Sequence, residues 1–186
     1  MLENAGLTIT VCPSDVDEDA LKDGFDGGQA PHEDLAFVLA DAKSKSVQQK
    51  LSLKSRALVI GADQILVCDG KRFDKPISMA DAASHLQALQ GKTHELISAC
   101  SIRRGTEDPW RCVDTARLKM RPLSPQAIDR YLDAVGDAAL MSVGCYQLEG
   151  RGAQLFEQVD GDFFTVLGLP LLPVMAYLRL QKVVPE

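Results

Sequence analysis

Apolar positions along the chain follow two periods, and their alternation predicts both helices and strands. Apolar residues spaced by three and four, the helical period, begin after Pro31, Ser78, Ser124 and Pro170. Serine and proline are typical of helix starts, because serine caps free backbone N–H groups and proline lacks one. Strand-like runs, continuous or alternating, occupy residues 8–11, 57–67, 93–102, 110–120 and 155–159.

The order of these segments predicts the fold class. Helices and strands interleave, whereas the strands at 93–102 and 110–120 follow one another directly. This order predicts an α/β fold with a mixed, curved sheet flanked by helices. The 186 residues fit one domain, 1–186, or one domain with a lobed subdivision. The acidic residues 15–19 and the glycine-rich tract 24–28 predict a mobile loop.

Charge and cysteine spacing limit the possible partners. A net charge of −6 and a pI near 5.1 argue against a broad surface for nucleic acids or anionic membranes, which needs clustered Lys and Arg. No apolar run approaches the roughly 18 residues of a membrane span, so a cytoplasmic protein is expected. The five cysteines are widely spaced without a C-x-x-C pair, which predicts buried apolar thiols rather than disulfides or a zinc site.

The apolar run at 57–67 carries the first candidate for chemistry. Asp63 follows the small residues Gly61 and Ala62, and ligands of α/β proteins bind beyond the carboxyl ends of strands. A carboxylate there can bind Mg²⁺ and can accept a proton from an attacking water. A role as the cap of the following turn is equally compatible with the sequence.

Other charged residues could complete a site for a metal-bound polyphosphate. Lys75 offers an ammonium group to phosphate oxygens, as does Lys43, which lies beyond the apolar stripe of the first predicted helix. Asp74 and Glu18 are acids that could share the metal with Asp63. Each of these charges also has a plainer interpretation as a solvent-exposed side chain.

Gln64 and Glu149 suggest how a base could be recognised. A carboxamide and a carboxylate can read the donor and acceptor edge of a base, and a carboxylate accepting from ring N–H and amino groups suits guanine. Glu149 lies in the segment 144–150, whose terminal glycines allow close approach to a flat ligand. The alternative for Glu149 is an exposed turn acid.

Motifs along nearly the whole chain resemble those of the Maf-like nucleotide pyrophosphatases. Those that agree in order and spacing are Ile60-Gly61-Ala62-Asp63, Asp74-Lys75-Pro76, Leu89-Gln90-Gly91-Lys92-Thr93-His94, Tyr146-Gln147-Leu148-Glu149-Gly150 and Val166-Leu167-Gly168-Leu169-Pro170. The segment Leu39-Ala40-Asp41-Ala42-Lys43 is similar to the family's helix with a phosphate-binding lysine. Each motif alone is weak, whereas five in order are hard to attribute to coincidence.

The resemblance implies an activity and a set of roles. The activity is metal-dependent hydrolysis of a nucleoside triphosphate to the monophosphate and pyrophosphate, with Mg²⁺, Mn²⁺ or Co²⁺ as the divalent cation. Asp63 would be the general base, and Lys43 and Lys75 would bind phosphates. Glu18 and Asp74 would support the metal, together with Asp63, or the attacking water. The resemblance also implies a homodimer and the mixed-sheet fold shared with inosine triphosphatases.

Two positions bear on the substrate. The family branch that acts on dTTP and UTP has Thr where this chain has Gln64, and Gln where it has Glu149. The pair found here resembles the branch that hydrolyses 7-methyl-GTP, which agrees with the affinity of a carboxylate for the guanine edge. We therefore expect 7-methyl-GTP as substrate, with dTTP or UTP as the alternative.

The start of the chain departs from the family pattern. Family members begin with a strand and a Ser-rich, Arg-containing loop that grips the phosphates, whereas residues 1–7 match the segment after that loop. Either the start codon is placed downstream of the natural one or the form is naturally shortened. Without the loop we expect weak catalysis, and a nucleotide-binding or regulatory protein is the alternative function. A septation factor, suggested by the family's other name of septum formation inhibitor, has no independent support in these residues.

Overall fold

A computed structural model describes residues 1–26, 31–51 and 57–185. The chain divides into two compact units. The first contains Met1–Gln64, Ile97–Asp114 and Gly168–Glu186, and the second contains Ile65–Leu96 and Thr115–Leu167. In the described ranges no helix is both long enough and apolar enough to cross a membrane.

The helices follow the predicted capping signals. They are α1 (Glu18–Asp26), α2 (His32–Lys50), α3 (Met79–Leu89), α4 (Pro125–Val135), α5 (Phe163–Val166) and α6 (Leu171–Leu180), with short 3₁₀ helices at Gly136–Met141 and Arg151–Leu155. Ser78 Oγ accepts a hydrogen bond from the N–H of Asp81 at 3.1 Å, and Ser124 Oγ accepts one from Ala127 at 3.2 Å. The four helices predicted from these starts and from the two prolines are confirmed as α2, α3, α4 and α6.

Helix α1 contradicts the loop predicted over residues 15–28. Asp17 Oδ1 accepts a hydrogen bond from the N–H of Ala20 at 3.0 Å, and Glu18 and Asp19 occupy the first turn. Carboxylates are favourable there because they face the positive end of the helix dipole. The acidic run therefore starts a helix, while residues 27 and 28 of the glycine-rich tract lie outside the described residues.

The strands form one five-stranded sheet. They are β1 (Leu58–Cys68), β2 (Lys71–Phe73), β3 (Thr93–Arg104), β4 (Trp110–Met120) and β5 (Phe156–Asp160), in the order β2-β1-β3-β4-β5. Residues 8–11, predicted as a strand, have no strand conformation. An alternating sequence forms a strand only where a neighbour supplies main-chain hydrogen bonds, so its pattern alone was insufficient there.

The α/β class with helices flanking the sheet is confirmed, but the strands run antiparallel rather than in mixed directions. β1 pairs antiparallel with β2, and β4 with β5. Along β1 and β3, Gln64 hydrogen-bonds Ser98, whereas Cys68 contacts the carbonyl of Thr93, so late residues of one strand meet early residues of the other. β3 therefore starts at the end of the sheet where β1 finishes.

The second unit has its own apolar core. Strands β1, β3 and β4 and helices α3 and α4 supply large buried side chains, among them Leu66, Leu86, Leu96, Leu118 and Ile128. This core also contains the imidazole of His94, which is 1% exposed. Its Nε2 lies 2.6 Å from the hydroxyl oxygen of Tyr146, while no described residue hydrogen-bonds its buried Nδ1.

Burial of His94 predicts sensitivity of the fold to acid. Burial lowers the pKa of His94 from 6.5 to about 4, because a charged imidazolium loses its hydration there. Between these values the unfolded chain binds the proton and the folded chain does not, so stability falls as pH falls. We expect His94 to lower the free energy of unfolding by about 3 kcal/mol over this window. Urea denaturation at a series of pH values measures the loss.

A His94→Gln variant is the control for this prediction. Glutamine can keep a hydrogen bond to Tyr146 but takes up no proton in this range. The variant should therefore lose much less stability than the original chain between pH 6.5 and pH 4. Parallel losses in the two proteins would assign the acid sensitivity to other groups.

Candidate active site

Asp63 lies in the middle of β1 (Leu58–Cys68) and not at a strand end as predicted, because the strand continues to Cys68, and it binds a lysine of helix α2. Its Oδ1 accepts a hydrogen bond from Lys43 Nζ at 2.5 Å, and its side chain is only 10% exposed. Glu18, the first residue of α1, approaches the same ammonium at 2.8 Å. The structure therefore brings together three residues predicted separately from the sequence, with two carboxylates converging on one cation.

Gly61 allows α2 to approach β1 closely enough for this contact. A Cβ atom at position 61 would lie 2.2 Å from the carbonyl oxygen of Ala40 and 2.6 Å from the backbone N of Ser44. Both are far inside van der Waals contact, and both belong to the helix backbone, which cannot rotate away like a side chain. Asp63 lies two residues later on the same face of the strand, next to the helical turn that carries Lys43.

A polar network attaches α2 to β3 as well. The Arg103 guanidinium donates hydrogen bonds to both carboxylate oxygens of Asp41, at 2.8 and 2.6 Å. Ser101 Oγ donates to Asp41 at 2.8 Å, and Ser44 Oγ donates to Ser101 at 3.3 Å. Both bonds come from the single nitrogen Nη2, and the serine hydroxyls add further hydrogen bonds that help to fix the position of Asp41. These positioning residues were not predicted from the sequence. They meet only through the register of β3 against α2, which the sequence alone does not show.

The local environment makes Asp63 a stronger base than an exposed aspartate. Burial raises the pKa of Asp63 above its ordinary value of 3.8, although the Lys43 ammonium opposes this change. For Lys43 burial alone would lower the pKa, but Asp63 and then Glu18 outweigh it and raise the pKa above 10.5. Lys43 is therefore a permanent cation at neutral pH, beside a carboxylate that is more basic than usual.

Gln64 faces away from this cluster. Side chains alternate along a strand, so Asp63 points to α2 while Gln64 points to the other face of β1. There its Nε2 donates a hydrogen bond to the buried Ser98 Oγ at 2.9 Å. Gly168 is adjacent, since a Cβ at that position would lie 3.9 Å from the Gln64 carboxamide carbon. Asp63 and Gln64 were both predicted as site residues, but Asp63 contacts α2 whereas Gln64 contacts β3.

The three other predicted site residues lie in the second unit. Asp74 and Lys75 follow β2 directly, and both are exposed. Glu149 is exposed in a turn just before the 3₁₀ helix Arg151–Leu155. Exposure leaves all three accessible to a ligand, and their roles stay predictions.

The family of the chain follows from comparison with known proteins. The family described as Maf-like protein matches residues 1–181. The chain belongs to the Maf-like proteins. It is 49% identical over 180 residues to the 7-methyl-GTP pyrophosphatase of Mesorhizobium japonicum, covering 96% of this chain and 88% of that protein. With the 7-methyl-GTP pyrophosphatase of Rhizobium meliloti the identity is 46% over 179 residues, covering 96% and 88%.

A relative with a broader name is equally similar to this Maf-like chain. The nucleoside triphosphate pyrophosphatase of Nitrobacter winogradskyi is 45% identical over 181 residues, which cover 97% of this chain and 87% of that protein. The family resemblance seen in the sequence motifs is therefore confirmed. The relatives share the activity of nucleotide pyrophosphatases, while their names differ in the nucleotide.

Glu18 and Asp63 are the residues of this Maf-like chain that would hold a divalent cation. Glu18 and Asp63 direct carboxylate oxygens to one position, which Lys43 Nζ occupies. Within residues 1–26, 31–51 and 57–185 no group of three His, Cys, Asp or Glu side chains is placed to hold a metal by itself. Mg²⁺ is commonly bound through one or two carboxylates plus waters and substrate phosphates, so two converging acids suffice.

A second group of polar side chains in the Maf-like protein resembles a Cys-His-Asp triad, but its cysteine is not a nucleophile. Cys145 Sγ lies 3.8 Å from His85 Nδ1, and His85 Nε2 lies 3.5 Å from Asp81. Cys145 is fully buried, and burial raises the pKa of its thiol to about 12. Since the thiolate is the nucleophilic form, this cysteine is inert. All five cysteines are free, and three of them, Cys68, Cys100 and Cys145, are buried as predicted.

Proposed function

We propose that this Maf-like chain is a metal-dependent nucleoside triphosphate pyrophosphatase. The observation that supports this most directly is the pairing of a nearly buried Asp63 carboxylate with the Lys43 ammonium, with Glu18 on the same cation. A base of raised pKa beside a fixed positive charge suits hydrolysis of a phosphoanhydride, in which catalysis is mainly positioning and charge stabilisation.

In the proposed reaction, water attacks the α-phosphorus of the triphosphate. Asp63 takes the proton as the water oxygen bonds to phosphorus, and the bond from the α-phosphorus to the bridging oxygen breaks. Pyrophosphate leaves with that oxygen, and the nucleoside monophosphate remains. Lys43 has three N–H donors, of which two bind Asp63 and Glu18, so the third can hold a phosphate oxygen. Lys75 is proposed as a further phosphate ligand.

A divalent cation, Mg²⁺, Mn²⁺ or Co²⁺, would neutralise the charge of the phosphates when bound. Glu18 and Asp63 are the proposed protein ligands, with Asp74 as a third. Lys43 Nζ lies between these two carboxylates, so a cation bound there would displace it towards the phosphates. The two converging carboxylates therefore have a cationic partner in both states.

Measurement of pyrophosphate release tests the proposal. The panel contains 7-methyl-GTP, GTP, dTTP and UTP, each assayed with Mg²⁺, Mn²⁺ and Co²⁺. Release of equal amounts of pyrophosphate and monophosphate is expected, whereas release of orthophosphate would indicate a different bond broken. Binding of nucleotide by calorimetry without any hydrolysis would favour a nucleotide-binding protein instead. Light scattering on the same sample tests the proposed homodimer.

We propose 7-methyl-GTP as the preferred nucleotide. This substrate is in the names of the Mesorhizobium and Rhizobium relatives, and Gln64 and Glu149 are the residues proposed to distinguish it. The double variant Gln64→Thr/Glu149→Gln should shift the ratio of kcat/KM for 7-methyl-GTP over dTTP by about 10- to 100-fold towards dTTP, since a lost bidentate base contact is worth about 1–3 kcal/mol.

A neutralised acid elsewhere in the second unit is the control for this double variant. Glu157→Gln removes a carboxylate that pairs with Lys119 on the exposed edge of the sheet. It should leave the ratio of the two kcat/KM values unchanged. A double variant that keeps its preference for 7-methyl-GTP would show that other residues read the base.

A further inference from the structure

A cavity in the second unit is lined by three arginines. Its volume is about 240 Å³, and Arg121, Arg130 and Arg151 all contribute to its wall. Arg121 follows β4, Arg130 lies on α4, and Arg151 starts the 3₁₀ helix Arg151–Leu155. Three separate segments therefore bring arginine side chains to one concave surface.

Within the described part of the chain, no carboxylate forms an ion pair with the arginines of this cavity. Neither Arg130 nor Arg151 forms an ion pair or a side-chain hydrogen bond there. Arg121 Nε donates to the carbonyl oxygen of Gln154 at 2.8 Å, a neutral acceptor that holds the side chain in place. By contrast, Arg117 in the same unit pairs with Glu95 at 2.9 Å.

The rest of the wall is apolar and firmly packed. Leu123, Tyr131 and Leu155 are each less than 10% exposed, and they belong to or flank the core of the second unit. The Tyr131 hydroxyl donates to the carbonyl oxygen of Cys145 at 3.1 Å, so the ring is fixed from behind. The apolar wall of the cavity is thus preformed, and of the three arginines Arg121 is held in place by its hydrogen bond.

These observations identify the chemistry of a ligand. Three like charges around one concavity repel one another, and an anion held between them removes that cost. Guanidinium groups suit phosphate in particular, because their paired N–H groups match two phosphate oxygens. A volume of about 240 Å³ equals that of about eight waters in the liquid, enough for one or two phosphoryl groups.

We propose that the cavity between Arg121, Arg130 and Arg151 is a binding site for a small polyvalent phosphate compound. The site uses none of the residues assigned to hydrolysis and does not depend on the proposed function. Arg130 and Arg151 supply the unpaired guanidinium groups, and Arg121 is the anchored third. The buried apolar wall excludes water from one side of the anion and so strengthens its attraction to the arginines.

Calorimetry with inorganic phosphate, pyrophosphate and guanosine monophosphate tests the site. We expect saturable binding of at least one of these compounds, and the tightest of the three identifies the ligand class. The double variant Arg130→Gln/Arg151→Gln should weaken that binding at least about tenfold. Arg117→Gln, which removes one arginine charge outside the cavity, should not. Both positions of the double variant are exposed, and a thermal melt checks that it stays folded.

Nuclear magnetic resonance locates the bound anion independently. Titration of the labelled original chain should shift the backbone amides of Ala134 and Gln154, which line the cavity, and these shifts should vanish in the double variant. Absence of binding by all three compounds would overturn the proposal. Binding that is equally tight in the double variant would overturn it as well, because the anion would then occupy another site.

Discussion

Replacing Asp63 with asparagine is expected to lower kcat for pyrophosphate release by about 10²- to 10⁴-fold, the usual contribution of a general base. Asparagine keeps the size of the side chain and can still accept a hydrogen bond from Lys43, but it cannot take a proton from water. The fold should persist, because Lys43 keeps Glu18 as its partner and a buried charge that burial disfavours is removed. Steady-state kinetics and a thermal melt measure the two effects separately.

The matched control is Asp15→Asn. Asp15 also pairs with a lysine of α2, since its carboxylate lies 2.9 Å from Lys50, but it is largely exposed. An exposed ion pair contributes little, so this variant should retain full activity. Equal activity of the Asp63 variant and the Asp15 variant would exclude Asp63 as the base.

The pH dependence of kcat/KM provides a second measure of Asp63. The base must be ionised to act, so activity is lost as pH falls through its pKa. Burial raises the pKa of Asp63, which places this loss above pH 3.8, the ordinary pKa of an aspartate. The residual activity of Asp63→Asn should lack this acidic limb.

Gly61→Ala is expected to lower the free energy of unfolding by about 3 kcal/mol, the upper range for a methyl group forced into a packed interior. The added Cβ would overlap the backbone of α2 at Ala40 and Ser44. Relief requires α2 to move away from β1, and this separates Lys43 from Asp63. Stability in urea and pyrophosphate release should therefore fall together.

Gly24→Ala is the same substitution without the clash. No atom lies within 4 Å of the Cβ position at Gly24, which is part of helix α1. Alanine is a better helix former than glycine by about 1 kcal/mol, so this variant should be as stable as the original chain or more so. If the two alanine variants were equally stable, the close approach of α2 to β1 would not matter for the fold.

The sequence allowed the local features of the fold to be predicted but not the partners of each strand. Helices α3 and α4 were predictable because Ser78 and Ser124 cap them within the same short segment. Helix α1 was missed because an acidic run suits a solvated loop as well as a first helical turn. Strand direction depends on which end of β1 receives β3, and no local pattern carries that information.

The same limit applies to the site. Asp63 and Lys43 were predicted from their places on single elements, one on a strand and one on a helix. The pair Asp41 and Arg103 was missed because the two residues are 62 positions apart and meet only through the register of α2 on β3. The opposite directions of Asp63 and Gln64 follow from strand alternation once β1 is known to continue to Cys68.

The double attachment of α2 has a consequence for substrate selection. Asp41 and Lys43 are two residues apart on α2, and they are tied to β3 and β1 respectively. Sliding the helix by a single residue would break both ties at once, so the Lys43 ammonium has one depth and one direction from which, under the proposed function, it would meet a phosphate chain. A lysine fixed in this way would bind one phosphate at a defined point along a polyphosphate and would not respond to its total charge. Cleavage at one anhydride bond would then be favoured over cleavage at the neighbouring one.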